Sequence, residues 1–196
     1  MKLYITTPSP FSRKVRIVAR EKSVAIEEIA VDPYANAPEL LVSNPVVQVP
    51  TLIARDGLPI TDSLVICEYL DSIGSGPRLL PLEGEDRLRV RRIETLANGA
   101  LEMGVKWVLE KRRPESERSP SWIARWTGNL GRALDALEAA DLRADDLQVG
   151  TITAAVTMSW LAFRHPDYDA ATGRPNLLAL QAALEARPSF IETRPV

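Results

Sequence analysis

Residues 44–63 read Asn44-Pro45-Val46-Val47-Gln48-Val49-Pro50-Thr51-Leu52-Ile53-Ala54-Arg55-Asp56-Gly57-Leu58-Pro59-Ile60-Thr61-Asp62-Ser63. Two β-prone runs, 51–54 and 58–60, flank Arg55-Asp56-Gly57. An Asp-Gly pair between such runs predicts an antiparallel hairpin, because glycine accepts the left-handed backbone that a tight connection needs. Pro50 stands directly before the first of these strands. A proline there is a candidate for a cis bond, which would leave the backbone N–H and C=O of Val49 open to a bound peptide in place of a neighbouring strand; an ordinary edge-strand proline fits equally well. Asp62-Ser63 then opens a helical segment, 64–73, with Val65, Ile66, Tyr69, Leu70 and Ile73 at helical spacing and Gly74 as its stop. A hydroxyl and a carboxylate at a helix start suit a ligand's carboxylate and ammonium groups, and they suit simple capping as well.

Working back toward the N-terminus, residues 2–6 alternate in the manner of a strand. Pro8 and Pro10 close that run, and a helix is predicted over 12–22, with Val15, Val18 and Ala19 on one face. Residues 29–31 offer a second strand, and Pro33, Asn36 and Pro38 mark a loop before a helical turn at 38–42. The predicted order is β-α-β-α-β-β-α. Ser9 and Ser12 fall near the start of the first helix, where unpaired N–H groups and the helix dipole favour an anion. Ser9-x-x-Ser12 has the spacing of a redox Cys-x-x-Cys pair with both sulfurs replaced by hydroxyls, which excludes disulfide exchange by the chain's own thiols. Such a hydroxyl can donate to the sulfur of another molecule and lower its thiol pKa from about 8.5 toward neutrality, or it can serve as an N-cap.

Toward the C-terminus, residues 74–84 contain Gly74, Gly76, Gly84, Pro77 and Pro81, the composition of a connector. Beyond it every signal is helical. Apolar or small residues recur over 85–112 until Pro114; Ser119-Pro120 reads as an N-cap and first helical residue; 151–164 is almost wholly apolar and is expected at the centre of its domain; 176–187 is a last amphipathic helix. The expected architecture is α/β followed by all-α, with domains at 1–75 and 85–196 and a linker at 76–84.

The 196 residues, 45% hydrophobic, suffice for a large core. A formal charge of -2 from 24 basic and 26 acidic residues gives no field to draw nucleic acid or an anionic membrane. One cysteine, Cys67, forms no intramolecular disulfide, and the N-terminus has no apolar signal-peptide run, so a cytoplasmic protein is expected. Cys67, beside Val65 and Ile66, is read as a small core residue. The single histidine, His165, at a helix end between Arg164 and Pro166, is read as a C-terminal cation, and one histidine leaves no His-rich metal site. Arg87, Arg89, Arg91 and Arg92, among acidic neighbours, are read as a solvated helix face or a dimer contact.

The succession of Ser9 at the first strand–helix turn, Asn44-Pro45-x-x-Gln48-Val49-Pro50-x-Leu52, and Asp62-Ser63 opening a helix of the form Leu-x-Ile-x-x-Tyr-Leu resembles the glutathione S-transferase family over the whole chain. Gly173-Arg174-Pro175-Asn176-Leu177, Arg187-Pro188-Ser189-Phe190 and Thr193-Arg194-Pro195 are similar to the end of that family's helical domain. The resemblance implies a thioredoxin-like domain followed by a helical bundle, and a cytosolic detoxifying enzyme that uses glutathione as co-substrate without a metal. It implies Ser9 as the residue supporting the thiolate and Phe11, Gln48, Val49, Pro50, Asp62 and Ser63 as the glutathione-binding set. Val49 would pair with the cysteinyl part, Asp62 and Ser63 would receive the γ-glutamyl end, and Gln48 would reach the glycyl carboxylate. Met103 and Trp107 are implied as lining a pocket for a small electrophile, although core packing suits both, and a homodimer is implied. Ser12 competes with Ser9 for the thiolate. Glutathione-dependent isomerisation or dehalogenation, and a non-catalytic binding or assembly module, are the rival functions. One departure is Thr151-Ile152-Thr153-Ala154, where the family commonly has a Ser/Thr-x-x-Asp capping box, so a weakened helix start is expected there.

Overall fold

The alternation at the N-terminus forms β1 (Lys2–Ile5), with Leu3, Tyr4 and Ile5 buried. In this computed structural model, which describes residues 1–195, β1 pairs in parallel with β2 (Glu27–Ala30) and antiparallel with β3 (Thr51–Ile53), and β3 pairs antiparallel with β4 (Pro59–Thr61). The sheet order is β2-β1-β3-β4. β2 starts earlier than its apolar residues suggest, because Arg16 and Arg20 both bind the Glu28 carboxylate, each at 2.8 Å, and hold a charged residue in the strand. Pro59 opens β4 on the edge of the sheet, where a missing N–H costs least.

Helix α1 (Pro10–Glu21) also begins earlier than expected, with Ser9 as N-cap and Pro10 pre-set for the first turn. Val15, Ile17, Val18 and Ala19 of α1 are buried, as are Ile66, Cys67 and Leu70 of α3 (Ser63–Ile73), and the two helices pack together. The short α2 (Pro38–Ser43) contacts β3.

A buried ion pair ties the connector to these helices. Lys22 Nζ lies 3.1 Å from Asp71, both side chains 2% exposed. Asp71 accepts the backbone N–H of Leu79 at 2.9 Å and of Leu80 at 3.2 Å, while Lys22 donates to the carbonyls of Gly76 and Pro77 at 3.3 and 2.8 Å. Each charge therefore has several partners, the condition under which burial is tolerated. Gly74 permits the approach, since a Cβ there would lie 2.5 Å from Lys22 Cβ.

The chain divides into Met1–Leu80 together with the segment beginning at Arg187, and Pro81–Ala186. The tail thus departs from its expected place in the helical domain. Arg187 grips Glu21 with two hydrogen bonds of 2.9 and 2.7 Å, and Ser189 donates to the same carboxylate. Burial pushes the Glu21 carboxyl up, but those hydrogen bonds outweigh it and hold the group below its ordinary range. Within α8 (Pro188–Ile191), fully buried Phe190 accepts from Arg13 Nη2 at 3.2 Å through its carbonyl and lies under the same guanidinium.

The helical unit contains α4 (Gly84–Lys111), α5 (Pro120–Glu138), α6 (Val149–Arg164) and α7 (Pro175–Glu185). Most of α6 is buried, and it packs against α4 and α7, as its apolar run predicts. Gly104 allows the α4–α6 contact, for a Cβ there would meet Trp160 at 2.6 Å. The expected weak start at Thr151 is corrected: the helix opens at Val149, and the Gln148 N–H donates to Thr151 Oγ1 at 3.0 Å, so Ala154 has no capping task. Among the described residues no helix is long and apolar enough to cross a membrane.

Replacing Asp71 with Ala strands the Lys22 ammonium and uncaps the connector, and is expected to remove about 3–5 kcal/mol of stability in urea unfolding. The double change Lys22→Met with Asp71→Leu should recover a large part of that loss.

Candidate functional site

The ladder register gathers three loops at one end of the sheet. Thr51 opposes Tyr4 on β1 and Thr61 on β4. The turn carrying Ser9 and Phe11 after β1, residues 48–50 before β3, and Asp62-Ser63 after β4 therefore all leave the sheet at the same end.

In the first loop, half-buried Ser9 accepts the Ser12 N–H through Oγ at 3.2 Å. The capping reading is thus realised. Because the bond uses a lone pair of Ser9, the hydroxyl hydrogen stays uncommitted among the described residues, and no acidic side chain occupies the first turn of α1. The Ser12 hydroxyl is fully buried with no hydrogen-bond partner among the described residues. Phe11 follows in the same turn, half-buried.

In the second loop the Val49-Pro50 peptide is cis. The ladder begins only at Thr51, and the Val49 N–H and C=O find no partner among the described residues. Asn44 and Thr51 support this segment, and sequence reasoning assigned neither a role. Asn44 Nδ2 donates to the Gln48 carbonyl and to Thr51 Oγ1, each at 3.0 Å; its Oδ1 accepts the Val46 N–H at 3.1 Å; Thr51 Oγ1 donates to the Gln48 carbonyl at 2.8 Å. Buried Asn44 holds the loop from inside and leaves the Gln48 side chain exposed. The signal available was Asn before Pro, a turn-forming pair.

In the third loop Asp62 caps α3 by accepting the Leu64 N–H at 2.7 Å, with φ of 70° and ψ of 128°. That backbone is costly for a residue with a Cβ and recurs where a ligand site demands it. Ser63 is buried, and its hydroxyl has no partner among the described residues.

Met103 and Trp107 lie on α4 in the helical unit, both half-buried. Trp107 stacks on His165 with centroids 4.0 Å apart and planes within 10°, and meets Tyr168 edge-on at 5.7 Å. His165 is not the cation expected from its place at a helix end. It is fully buried, its Nε2 lies 3.0 Å from the Gly104 carbonyl and its Nδ1 3.4 Å from Lys111 Nζ. A carbonyl only accepts and an ammonium only donates, so the ring is neutral with its hydrogen on Nε2. Burial lowers its pKa, the Gly104 carbonyl opposes this, and the Lys111 and Arg164 charges lower it further. Cys67 is buried as expected. Of the arginines on α4, Arg89 pairs with Glu85 and Asp86 in solvent, whereas Arg91 reaches the fully buried Glu94. Among the described residues no group of three or more His, Cys, Asp or Glu is placed to hold a metal.

The sequence model described as "Glutathione S-transferase, N-terminal domain" matches residues 3–78. The chain is 34% identical to the "Uncharacterized GST-like protein YibF" of Escherichia coli K12, an alignment that spans 100% of this chain and 98% of the relative. The chain belongs to the glutathione S-transferase family. Two solved members resemble it throughout. A glutathione transferase family member from Pseudomonas fluorescens Pf-5 with bound glutathione has a TM-score of 0.93 and 30% identity, covering 100% of this chain and 98% of its own. A glutathione S-transferase from Methylobacillus flagellatus KT with bound glutathione has a TM-score of 0.92 and 32% identity, covering 100% and 99%. The α/β unit of this family member is thioredoxin-like, and the second unit is helical, as the resemblance implied.

Two measurements test the chemistry of these residues. Ser9→Ala removes a cap and should cost about 1 kcal/mol in urea unfolding, whereas Ser12→Ala removes an unsatisfied buried hydroxyl and should cost nothing or stabilise. His165 has a folded pKa below its ordinary 6.5, so the unfolded chain takes the proton first as pH falls. Its contribution to stability should be complete above 6.5 and decline below it, and His165→Phe should flatten that slope in unfolding free energy against pH.

Proposed function

We propose that this protein is a glutathione transferase that stabilises the thiolate of glutathione with Ser9 and directs it at a small hydrophobic electrophile. The observation that carries this reading is the Ser9 hydroxyl, which accepts the Ser12 N–H at 3.2 Å and keeps its own hydrogen available. Accepting the amide hydrogen polarises the hydroxyl, so one contact serves both cap and chemistry. A thiolate receiving it at the start of α1 also gains from the helix dipole.

The tripeptide would lie across the three loops. The unpaired Val49 N–H and C=O before Pro50 match the backbone of the cysteinyl residue, in the manner of strand addition. Asp62 and Ser63 receive the γ-glutamyl ammonium and carboxylate, Gln48 extends toward the glycyl carboxylate, and Phe11 borders the sulfur. A neutral amide holds that carboxylate less strongly than an ammonium would. The related structures with bound glutathione, alike over the full length, support glutathione as the ligand. In the reaction the sulfur lone pair forms the new bond to carbon, and the leaving group departs with its bonding electrons. Rate enhancement comes from the lowered thiol pKa and from holding both reactants together.

A homodimer is part of the same proposal. Val65 on α3, 54% exposed, and Leu88 on α4, 69% exposed, are apolar surfaces that a second copy would cover. A reducing compartment such as the cytoplasm suits a chain whose one cysteine is a buried thiol.

Calorimetric titration of glutathione, with thiolate absorbance followed at neutral pH, tests the assignment. Wild type should bind with thiolate formation, and Ser9→Ala should lower the thiolate fraction about tenfold or more. Binding without Ser9-dependent thiolate would remove the catalytic role, and absence of binding would leave the assembly-module reading. Sedimentation at micromolar concentration should show twice the mass of one chain.

A further inference from the structure

The C-terminal segment meets α1 along one stripe. Arg13, Arg16 and Arg20 recur at i, i+3 and i+7, which places them on one face of the helix. Arg13 Nη2 donates to the Phe190 carbonyl at 3.2 Å, Arg16 Nη1 to the Thr193 carbonyl at 3.4 Å, and Arg20 Nε to the Glu192 carboxylate at 3.0 Å. At the far end of the same helix Glu21 holds Arg187 and Ser189. The tail is therefore bonded to α1 from its first full turn to its last residue, within a single unit of the chain. Being only one turn long, α8 leaves its last carbonyls for partners outside an α-helical ladder, and the arginines supply them.

Arg13 is the member of this stripe nearest Ser9. Its backbone N–H donates to the Ser9 carbonyl at 3.0 Å, closing the turn in which the Ser12 N–H donates to Ser9 Oγ at 3.2 Å. Its buried guanidinium lies 5.6 Å from the centroid of the fully buried Phe190 ring, within range of a cation–π contact. One residue thus joins the tail to the turn that holds the Ser9 hydroxyl. Other side-chain bonding in that turn is sparse. Pro10 lacks an N–H, no acidic residue is present, and the Ser12 hydroxyl has no hydrogen-bond partner among the described residues. A shift of the Arg13 backbone would carry the adjacent Ser12 amide with it and change the angle at which Ser9 Oγ accepts.

We propose that Arg13 is a positioning residue for Ser9: pinned on the carbonyl and ring of Phe190, it fixes the first turn of α1 so that the Ser9 hydroxyl meets the thiolate of glutathione in one geometry. The clamp itself stands on the contacts between α1 and the tail; its use in catalysis rests on the thiolate reading of Ser9. Hydrogen bonds weaken steeply as their angle closes, so a displaced turn lowers the thiolate fraction while the backbone of Val49 still receives the ligand. A purely electrostatic effect of the guanidinium would need only its charge. Positioning needs Phe190 as well, and the two are separable by mutation.

Two measurements on the whole chain test this. Amide hydrogen exchange without glutathione should show the N–H groups of residues 12 and 13 exchanging about tenfold faster in Arg13→Met and in Phe190→Leu than in wild type, relative to Val18 and Ala19 of the same helix. Thiolate absorbance of saturating glutathione, followed against pH, should show the thiolate fraction at neutral pH lowered about tenfold in both variants, with glutathione affinity within about twofold of wild type. Arg13→Lys, which keeps a donor and a charge over the ring, should recover most of the thiolate. If Ser9→Ala loses the thiolate while both variants keep the wild-type titration, Arg13 and Phe190 serve packing only and the proposal is overturned. A loss in Arg13→Met that Phe190→Leu does not share assigns the effect to charge and overturns it as well. If glutathione does not bind, or binds without a Ser9-dependent thiolate, the transferase reading fails and exchange decides alone: faster exchange at residues 12 and 13 sustains the clamp, and unchanged exchange overturns it.

Discussion

The pairing of Thr51 with Tyr4 on one side and Thr61 on the other is the constraint on which the candidate site depends. A slip of one residue in either ladder would turn the side chains of a strand to the opposite face and move one loop away from the other two. Leu52 is fully buried between neighbours and Thr51 is fully buried while bonded to Gln48 and Asn44, so both the apolar and the polar demands of β3 select the same register. The loop that would meet the ligand's backbone is thus anchored by the strand it precedes.

Charge in the α/β unit is used for construction as much as for chemistry. Lys22 and Asp71 bind four backbone groups of residues 76–80, a stretch with no regular structure of its own. Glu28 joins β2 to α1 through two arginines, and Glu21 joins α1 to the tail through a third. Most polar side chains of α1 therefore face protein, and its water-exposed face is small. That arrangement explains why α1 is amphipathic in sequence while its arginines and Lys14 are largely buried.

Much of this was legible in the sequence, for reasons that differ by element. The hairpin followed from Asp56-Gly57, and Gly57 has a φ of 88°. Helix α6 followed from its unbroken apolar run. The start of α1 was less legible because Pro10 was read as closing the strand, although Ser9 and Pro10 together form the local cap, and the start of β2 was less legible because Glu27-Glu28 lacks a local strand signal and Arg16 and Arg20 decide it. His165 was misread because a position at a helix end predicts a cation only in solvent, and Trp107, Gly104 and Lys111, distant in sequence, remove the solvent. Asn44 was passed over because its side-chain contacts, with Val46, Gln48 and the first residue of β3, belong to a loop whose shape no periodicity describes and to the strand that follows it. The residues of the three site loops were legible through their order along the chain, since each alone is an ordinary cap or edge residue.

The union of Glu21 with Arg187, 166 positions apart, has a consequence for synthesis. The thioredoxin-like unit leaves the ribosome first, yet the helix bearing Ser9 lacks Phe190 and Arg187 on its flank until the helical unit has been made. The helical unit, second in the chain, is the first to have its whole sequence available. Order of emergence and order of completion are therefore reversed, and a nascent chain halted before residue 187 carries an N-terminal unit with an open seam along α1.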